Sequence, residues 1–226
     1  MDVLWGERPT PRRGPRPAFD RERIARTGIE IADREGLAAV TMQRVAESLG
    51  VTKMALYRYV PGKAELVALM VDIGIGEPPE VTGATWRAVL AVWARELFAR
   101  FSEHPWSLEA TRGARLVGPN ELGWMEVAVA ALAGSGLDGA ETLDTVVVLT
   151  GHVRALGEQT GAFDTVSAED ALTTGFQAIL AGREDRFPAV TAAFASAAAS
   201  GKQNQALDFG VERILDGVAA LIASRR

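Results

Sequence analysis

Residues 41–63 read TMQRVAESLGVTKMALYRYVPGK. Thr41 suits a helix N-cap, because its side-chain oxygen can accept from a free N–H of the first turn. Val40 and Val45 stand at the two positions of a hydrophobic staple, while Arg44 at the third helical position leaves the capping box incomplete. Val45, Ala46 and Leu49 then face inward and Gly50 stops the helix. Only Val51 and Thr52 intervene before a second short helix predicted over 53–59, which ends ahead of Pro61 and Gly62. Leu56 is its inward anchor, with Val60 beside it. Lys53, Met54, Ala55, Tyr57, Arg58 and Tyr59 are left to reach outward. Two short helices joined by so tight a turn make a helix-turn-helix unit. In that geometry the second helix enters the DNA major groove and the first crosses the backbone.

The flanks extend the same pattern. Asp20 is an N-cap, Phe19 and Ile24 form a staple, and Ile24, Gly28, Ile31 and Ala32 make one helical face that ends at Gly36. A fourth helix, predicted over about 63–73, buries Leu66, Leu69 and Met70. Upstream, Glu7 to Pro17 interleaves Arg8, Arg12, Arg13 and Arg16 with Pro9, Pro11, Pro15 and Pro17. Prolines this dense oppose a helix, so residues 1–18 are expected to form a flexible basic arm. Beyond the Gly/Pro-rich turn at 74–79 come alanine-rich helical segments near 84–102, 106–114, 119–134, 139–161, 168–181, 188–199 and 204–224. The fold expected is all-α: a helix-turn-helix domain over 19–74 and a larger helical body over 75–226.

Charge follows this division. Residues 1–70 hold twelve Lys and Arg against nine Asp and Glu, net +3, and the remainder holds twelve against twenty, net −8. A basic end on an acidic body suggests that this end meets a polyanion. Of the 226 residues, 48% are apolar and 23% charged, a globular balance, and there is no cysteine to form a disulfide or a thiolate zinc site. No apolar run is long enough to cross a membrane and no secretory signal is evident. A cytoplasmic protein with no membrane partner is expected.

Residues 41–63, with Ile24, Ala32 and Gly36 upstream and Leu66 downstream, resemble the DNA-binding signature of the tetracycline-repressor (TetR) family over about residues 20–72 without a gap. Gly151-His152-Val153-Arg154 and residues 209–217 resemble the C-terminal helices of the tetracycline-repressor subgroup. The resemblance implies a homodimeric repressor whose body holds a small-molecule pocket and whose partner is double-stranded operator DNA. Carried over by position, Thr41, Gln43, Tyr57, Tyr59 and Lys63 are expected at phosphates. Lys53, Met54 and Ala55 are expected at base edges, with Arg58 in either role and Thr52 completing the set from the turn. Helix N-termini attract phosphate, which suits Thr41 and Lys63. Lys53 alone of the base-facing three can hydrogen-bond strongly, to guanine O6 or N7.

In the body, Trp86, Trp93, Phe101, Trp106 and Trp124, with the only two histidines, His104 and His152, and with Gln159, are expected to line an effector cavity; aromatic core is the competing reading. In the tetracycline-binding members a histidine and an acidic residue help hold a magnesium-bound drug. The acidic position, eight residues after His152, is Thr160 here, and Glu158 is out of register, which argues against that ligand; Arg154 and Gln159 could instead orient a different polar ligand. No metal or other cofactor is expected. Gly151 and Gly157 in one predicted helix, and Gly210 and Gly217 in another, would let helices approach closely. Val146, Val153, Val211, Ile214, Val218 and Leu221 around them are expected at the dimer interface, with an intramolecular core as the alternative. An all-α enzyme has little to work with, because neither an HExxH-type motif nor a paired-carboxylate motif is present. A dimeric DNA-binding protein or activator without a ligand remains a further reading, separable by cavity volume.

Overall fold

The computed structural model describes residues 2–6, 20–81, 85–160, 168–200 and 205–225. Its α-helices are α1 (Asp2–Trp5), α2 (Arg21–Glu35), α3 (Met42–Ser48), α4 (Lys53–Tyr57), α5 (Lys63–Ile75), α6 (Trp86–Glu103), α7 (Trp106–Ala110), α8 (Pro119–Ala131), α9 (Gly139–Thr160), α10 (Ala168–Leu180), α11 (Pro188–Ser200) and α12 (Ala206–Ala223). The described residues contain no strand. The caps read from the sequence are formed: Asp20 accepts from the N–H of Arg23 at 2.8 Å and Thr41 from that of Arg44 at 3.1 Å. Phe19, the outer half of the first staple, lies outside the described residues, as do residues 7–18 of the basic arm.

Two hydrophobic cores follow. The first gathers Ile24, Ile31, Val45, Leu56, Leu66 and Met70 from α2 to α5, and the second gathers Leu90, Leu97, Ala128, Leu149, Val153 and Leu215 from α6, α8, α9 and α12. Helix α5 belongs to both, since Leu66 and Met70 are buried in the first while Ile75 packs on the second. On the far side of the second core, Arg87 of α6 reaches α12, donating to Asp216 at 2.6 Å and pairing with Glu212.

Hydrogen bonds tie the two parts together. Asp72 of α5 is buried, and its Oδ1 accepts from the N–H groups of Asn120 at 2.8 Å and Glu121 at 3.1 Å. It thereby satisfies the free donors at the start of α8, whose own cap residue, Gly118, has no side chain to offer. Gly118 is required by closeness: a Cβ there would stand 2.2 Å from the Asp72 carboxylate. Burial holds the Asp72 carboxyl above its ordinary range, against the opposing pull of these two backbone donors. Trp124 of α8 donates to the Gly76 carbonyl at 3.0 Å, closing the end of α5. From the other side, Asp33 of α2 accepts from Trp106 Nε1 at 2.7 Å and stands 2.8 Å from His104 Nδ1.

Three expectations of extent are corrected. Residues 1–18 are not all arm: Asp2–Trp5 is helical, Leu4 is buried in the first core, and Trp5 Nε1 donates to the Val117 carbonyl at 3.0 Å. Four residues carry no periodicity from which this could be read. The helix predicted over 53–59 ends at Tyr57, because Pro61 forces the chain to extend before it. That predicted over 106–114 stops at Ala110, where Thr111 turns its hydroxyl back to the Ser107 carbonyl.

Candidate nucleic-acid interface and effector cavity

The turn between α3 and α4 is closed by the backbone. Gly50 takes φ +67°, and the N–H of Val51 donates to Ala46 O while that of Gly50 donates to Glu47 O. This is the Schellman pattern, which favours glycine at its left-handed position. Thr52 then caps α4 by accepting from the N–H of Ala55 at 3.2 Å. Leu56 is wholly buried, so α4 is fixed by a single anchor and its other faces are set by the helical period. Met54 is 74% exposed; Thr52, Lys53, Tyr57 and Arg58 are exposed with it. Lys53 Nζ sits 5.7 Å from the centroid of the Tyr57 ring, a cation–π approach that orders the ammonium on the outer face.

Thr41 and Gln43 are exposed on α3, where Gln43 Nε2 donates to Glu47 at 2.7 Å, and Lys63 is exposed at the first turn of α5. Ala55 is half-buried. Tyr59 departs most from the outward set: its ring is half-buried and packs on the first core, because the chain has left the helix before reaching it. Nine of the ten residues expected at DNA thus lie on α3, α4, the turn between them and the start of α5, eight of them exposed.

Below this surface the body holds a half-open cavity of about 500 Å³, above the ~300 Å³ floor expected of a small-molecule site. Of the residues expected there, Trp93, Phe101, His104 and Trp124 line it. On α6 and its C-cap the lining residues Trp93, Leu97, Arg100, Phe101 and His104 recur at helical spacing, so one stripe faces the space. Val71, Gly74 and Ile75 of α5 close the side toward the first core. The indole N–H of Trp93 is spent on the Trp124 carbonyl at 2.8 Å and that of Trp124 on Gly76, so both rings present carbon to the cavity.

Four expected lining residues fall elsewhere. Trp86 lies two turns before Trp93, ~10 Å along α6, and packs on the second core. Trp106 belongs to the first core, held there by Asp33. His152 is turned from the cavity stripe toward α12, where Nε2 meets the Leu207 carbonyl at 3.2 Å and its ring occupies the space a Gly210 side chain would need. Gln159 is on the exposed side of α9. The side chain of Thr160 lies outside the described residues.

Two arginines are what the sequence reading missed; a third, Arg154, it named as able to orient a polar ligand. Arg100, Arg115 and Arg154 all line the cavity. Arg154 donates to Thr111 Oγ1 at 2.5 Å and to the Leu108 carbonyl at 2.7 Å, and its guanidinium lies 5.6 Å from the Phe101 centroid. Burial pulls it below the usual arginine range. Arginine in an amphipathic helix, as Arg100 is, or in a connecting segment, as Arg115 is, ordinarily signals solvent, so no sequence pattern sets these two apart.

The expected interface residues divide. Val146, Val153 and Val211 are buried within this chain's own second core, so the intramolecular alternative holds for them; Ile214 and Val218 are half-buried against it. Gly157 meets Leu108 and Gly210 meets His152, both within the chain. Only Leu221 remains exposed, beside an apolar face not expected in full: Leu143, Val147 and Val148 of α9 and Phe209 of α12, with Gly151 and Gly217 open.

Comparison with known proteins bears on both surfaces. Residues 24–70 match the family model described as bacterial regulatory proteins, tetR family, and residues 78–222 that described as tetracyclin repressor-like, C-terminal domain. The HTH-type transcriptional repressor DrrR1 of Streptomyces coeruleorubidus is 32% identical, over all of this chain and 87% of its own length. The apo structure of ActR from Streptomyces coelicolor superposes with a TM-score of 0.74 at 23% identity, covering 94% of this chain and all of that one. ActR in complex with actinorhodin gives 0.72 at 25% identity, covering 89% and 96%.

Proposed function

The chain belongs to the tetR family of bacterial regulatory proteins, and from that membership we propose that it represses transcription as a homodimer on a near-palindromic operator and is released by a small-molecule effector in the body. It is a DNA-binding transcriptional regulator, and its relatives by name are regulators and not enzymes. None of the described helices is long and apolar enough to cross a membrane; we place its work in the cytoplasm, beside DNA, with no catalytic role.

The observation that carries this reading is α4 itself. One buried leucine holds it, and lysine, methionine, tyrosine and arginine surround that anchor on the open side. Two such helices, one per protomer, would stand about one DNA turn apart, ~34–36 Å, and enter successive major grooves. Effector release works through α5, which lines the cavity at Val71, Gly74 and Ile75 and carries Lys63 at its other end. An effector that prefers a tilted α5 draws the two reading helices off the groove spacing, and DNA weakens the effector by the same factor.

The test is a salt titration of operator and random DNA binding. Lys63→Ala is expected to weaken both DNAs equally and to lower the slope of log affinity against log salt by about 1, as the loss of one phosphate contact does. Tyr57→Phe should weaken both equally with little change of slope; loss on operator alone contradicts the phosphate assignment. Lys53→Ala is expected to relax preference at one base per half-site, at ~1–3 kcal/mol. An unchanged base-preference profile refutes its place in the groove.

A further inference from the structure

We propose that the cavity takes a polycyclic aromatic carboxylate, its rings against Trp93, Trp124 and Phe101 and its charge on Arg100 and Arg154. This deepens the reading of the cavity as the effector site and rests on it. The wall sets three arginines against a single carboxylate, Glu121. That carboxylate is already taken, since Arg115 Nη1 donates to it at 2.7 Å. Arg154 is held in place by Thr111 and the Leu108 carbonyl, and its nearest acid, Glu158, stands 3.8 Å away while donated to by Arg112 at 3.0 Å. Arg112 and Arg154 thus share one carboxylate, which leaves one guanidinium charge in excess on this side of the wall.

Arg100 supplies the more telling group. Its Nη1 pairs with Glu103 at 3.2 Å, but its Nε is buried and has no hydrogen-bond partner. A buried donor without an acceptor is unfavourable, so the side chain gains by turning Nε onto an incoming carboxylate, an acceptor that a neutral ring does not offer. Guanidinium and carboxylate also match in geometry, through paired N–H···O bonds. The rest of the wall admits rings: the two indoles have no free N–H, and a 500 Å³ space holds a drug-sized ring system. A cationic aromatic would meet repulsion from the same two side chains. The arriving charge would stand one helical turn from His104, whose ring nitrogen holds Asp33 of the reading domain.

The experiment is calorimetric titration of the full chain with anthracene-2-carboxylate, anthracene-2-carboxamide and 2-(aminomethyl)anthracene, with operator release followed in parallel. The carboxylate is expected to bind at least about tenfold more tightly than the amide, and the amine more weakly than either. Arg100→Gln and Arg154→Gln should each bring the carboxylate-to-amide ratio to within about threefold. Should Arg154→Gln melt early through loss of the Leu108 bond, Arg100→Gln decides alone, because the bond it gives up, to Glu103 one turn on, is an exposed pair of little weight for stability. Equal affinity for carboxylate and amide, or a preference that survives the substitutions, overturns the charge assignment and leaves the effector cavity standing. No binding of any of the three to folded, operator-competent protein overturns the cavity reading itself.

Discussion

Asp72→Ala is expected to lower the unfolding free energy by about 2–3 kcal/mol, read from urea or thermal denaturation, because it strips the acceptor from two N–H groups at the start of α8. Asp72→Asn keeps an oxygen in the same place and sheds the buried charge, so its loss should stay below about 1 kcal/mol. The pH dependence has a definite sign. Burial raises the folded carboxyl above its ordinary 3.8, so between these values the native chain holds a proton that the unfolded chain has released. Stability from this group is therefore greatest below 3.8 and declines as pH rises through the window just above it; both variants should lack that decline. Gly118→Ala places a methyl against the same carboxylate and should cost about as much as Asp72→Ala. In the Asp72→Ala background its extra cost should largely vanish, since the clash has gone. Additive losses would show that the two residues do not share one contact.

Val148→Glu is the second large effect. Val148 is 52% exposed on α9 and lines neither the cavity nor the chain's own core. A charge there should leave the melting temperature near wild type and, if this face meets a second copy, leave monomers in sedimentation velocity. Operator affinity should then fall by about 10²–10³-fold, because each half-site must be bound without the other's help. Val218→Glu is a poorer probe, because Val218 packs on its own core and the variant would lose fold and assembly together. A Val148→Glu protein that still sediments as a dimer places the interface on another face.

What the sequence made legible was whatever depends on neighbours a few residues away. Thr41, Gly50, Thr52 and Leu56 act within one turn of themselves, so their roles follow from spacing, and the reading surface followed from them. Partners distant in sequence were not legible. Aromatic spacing says that Trp106 is buried but not in which core, and it went to the first because Asp33 of α2 accepts its N–H. The valine stripe of α9 and α12 has two sides, and the spacing that marks Val153 as apolar does not say that its own chain covers it. Arg100 looked like a solvated charge, and Arg154, read as a polar anchor, gave no sign that Phe101 and the Leu108 carbonyl would hold it.

The bonds joining α2 and α5 to the body bear on engineered sensors assembled from halves of different regulators. A graft that keeps this body but imports another reading domain strands Trp106 and His104 without Asp33, and the start of α8 without Asp72. Chimaeras cut near residue 76 should therefore bind their inducer and yet transmit little, unless positions 33 and 72 travel with 104, 106 and 118–120 as one exchanged set.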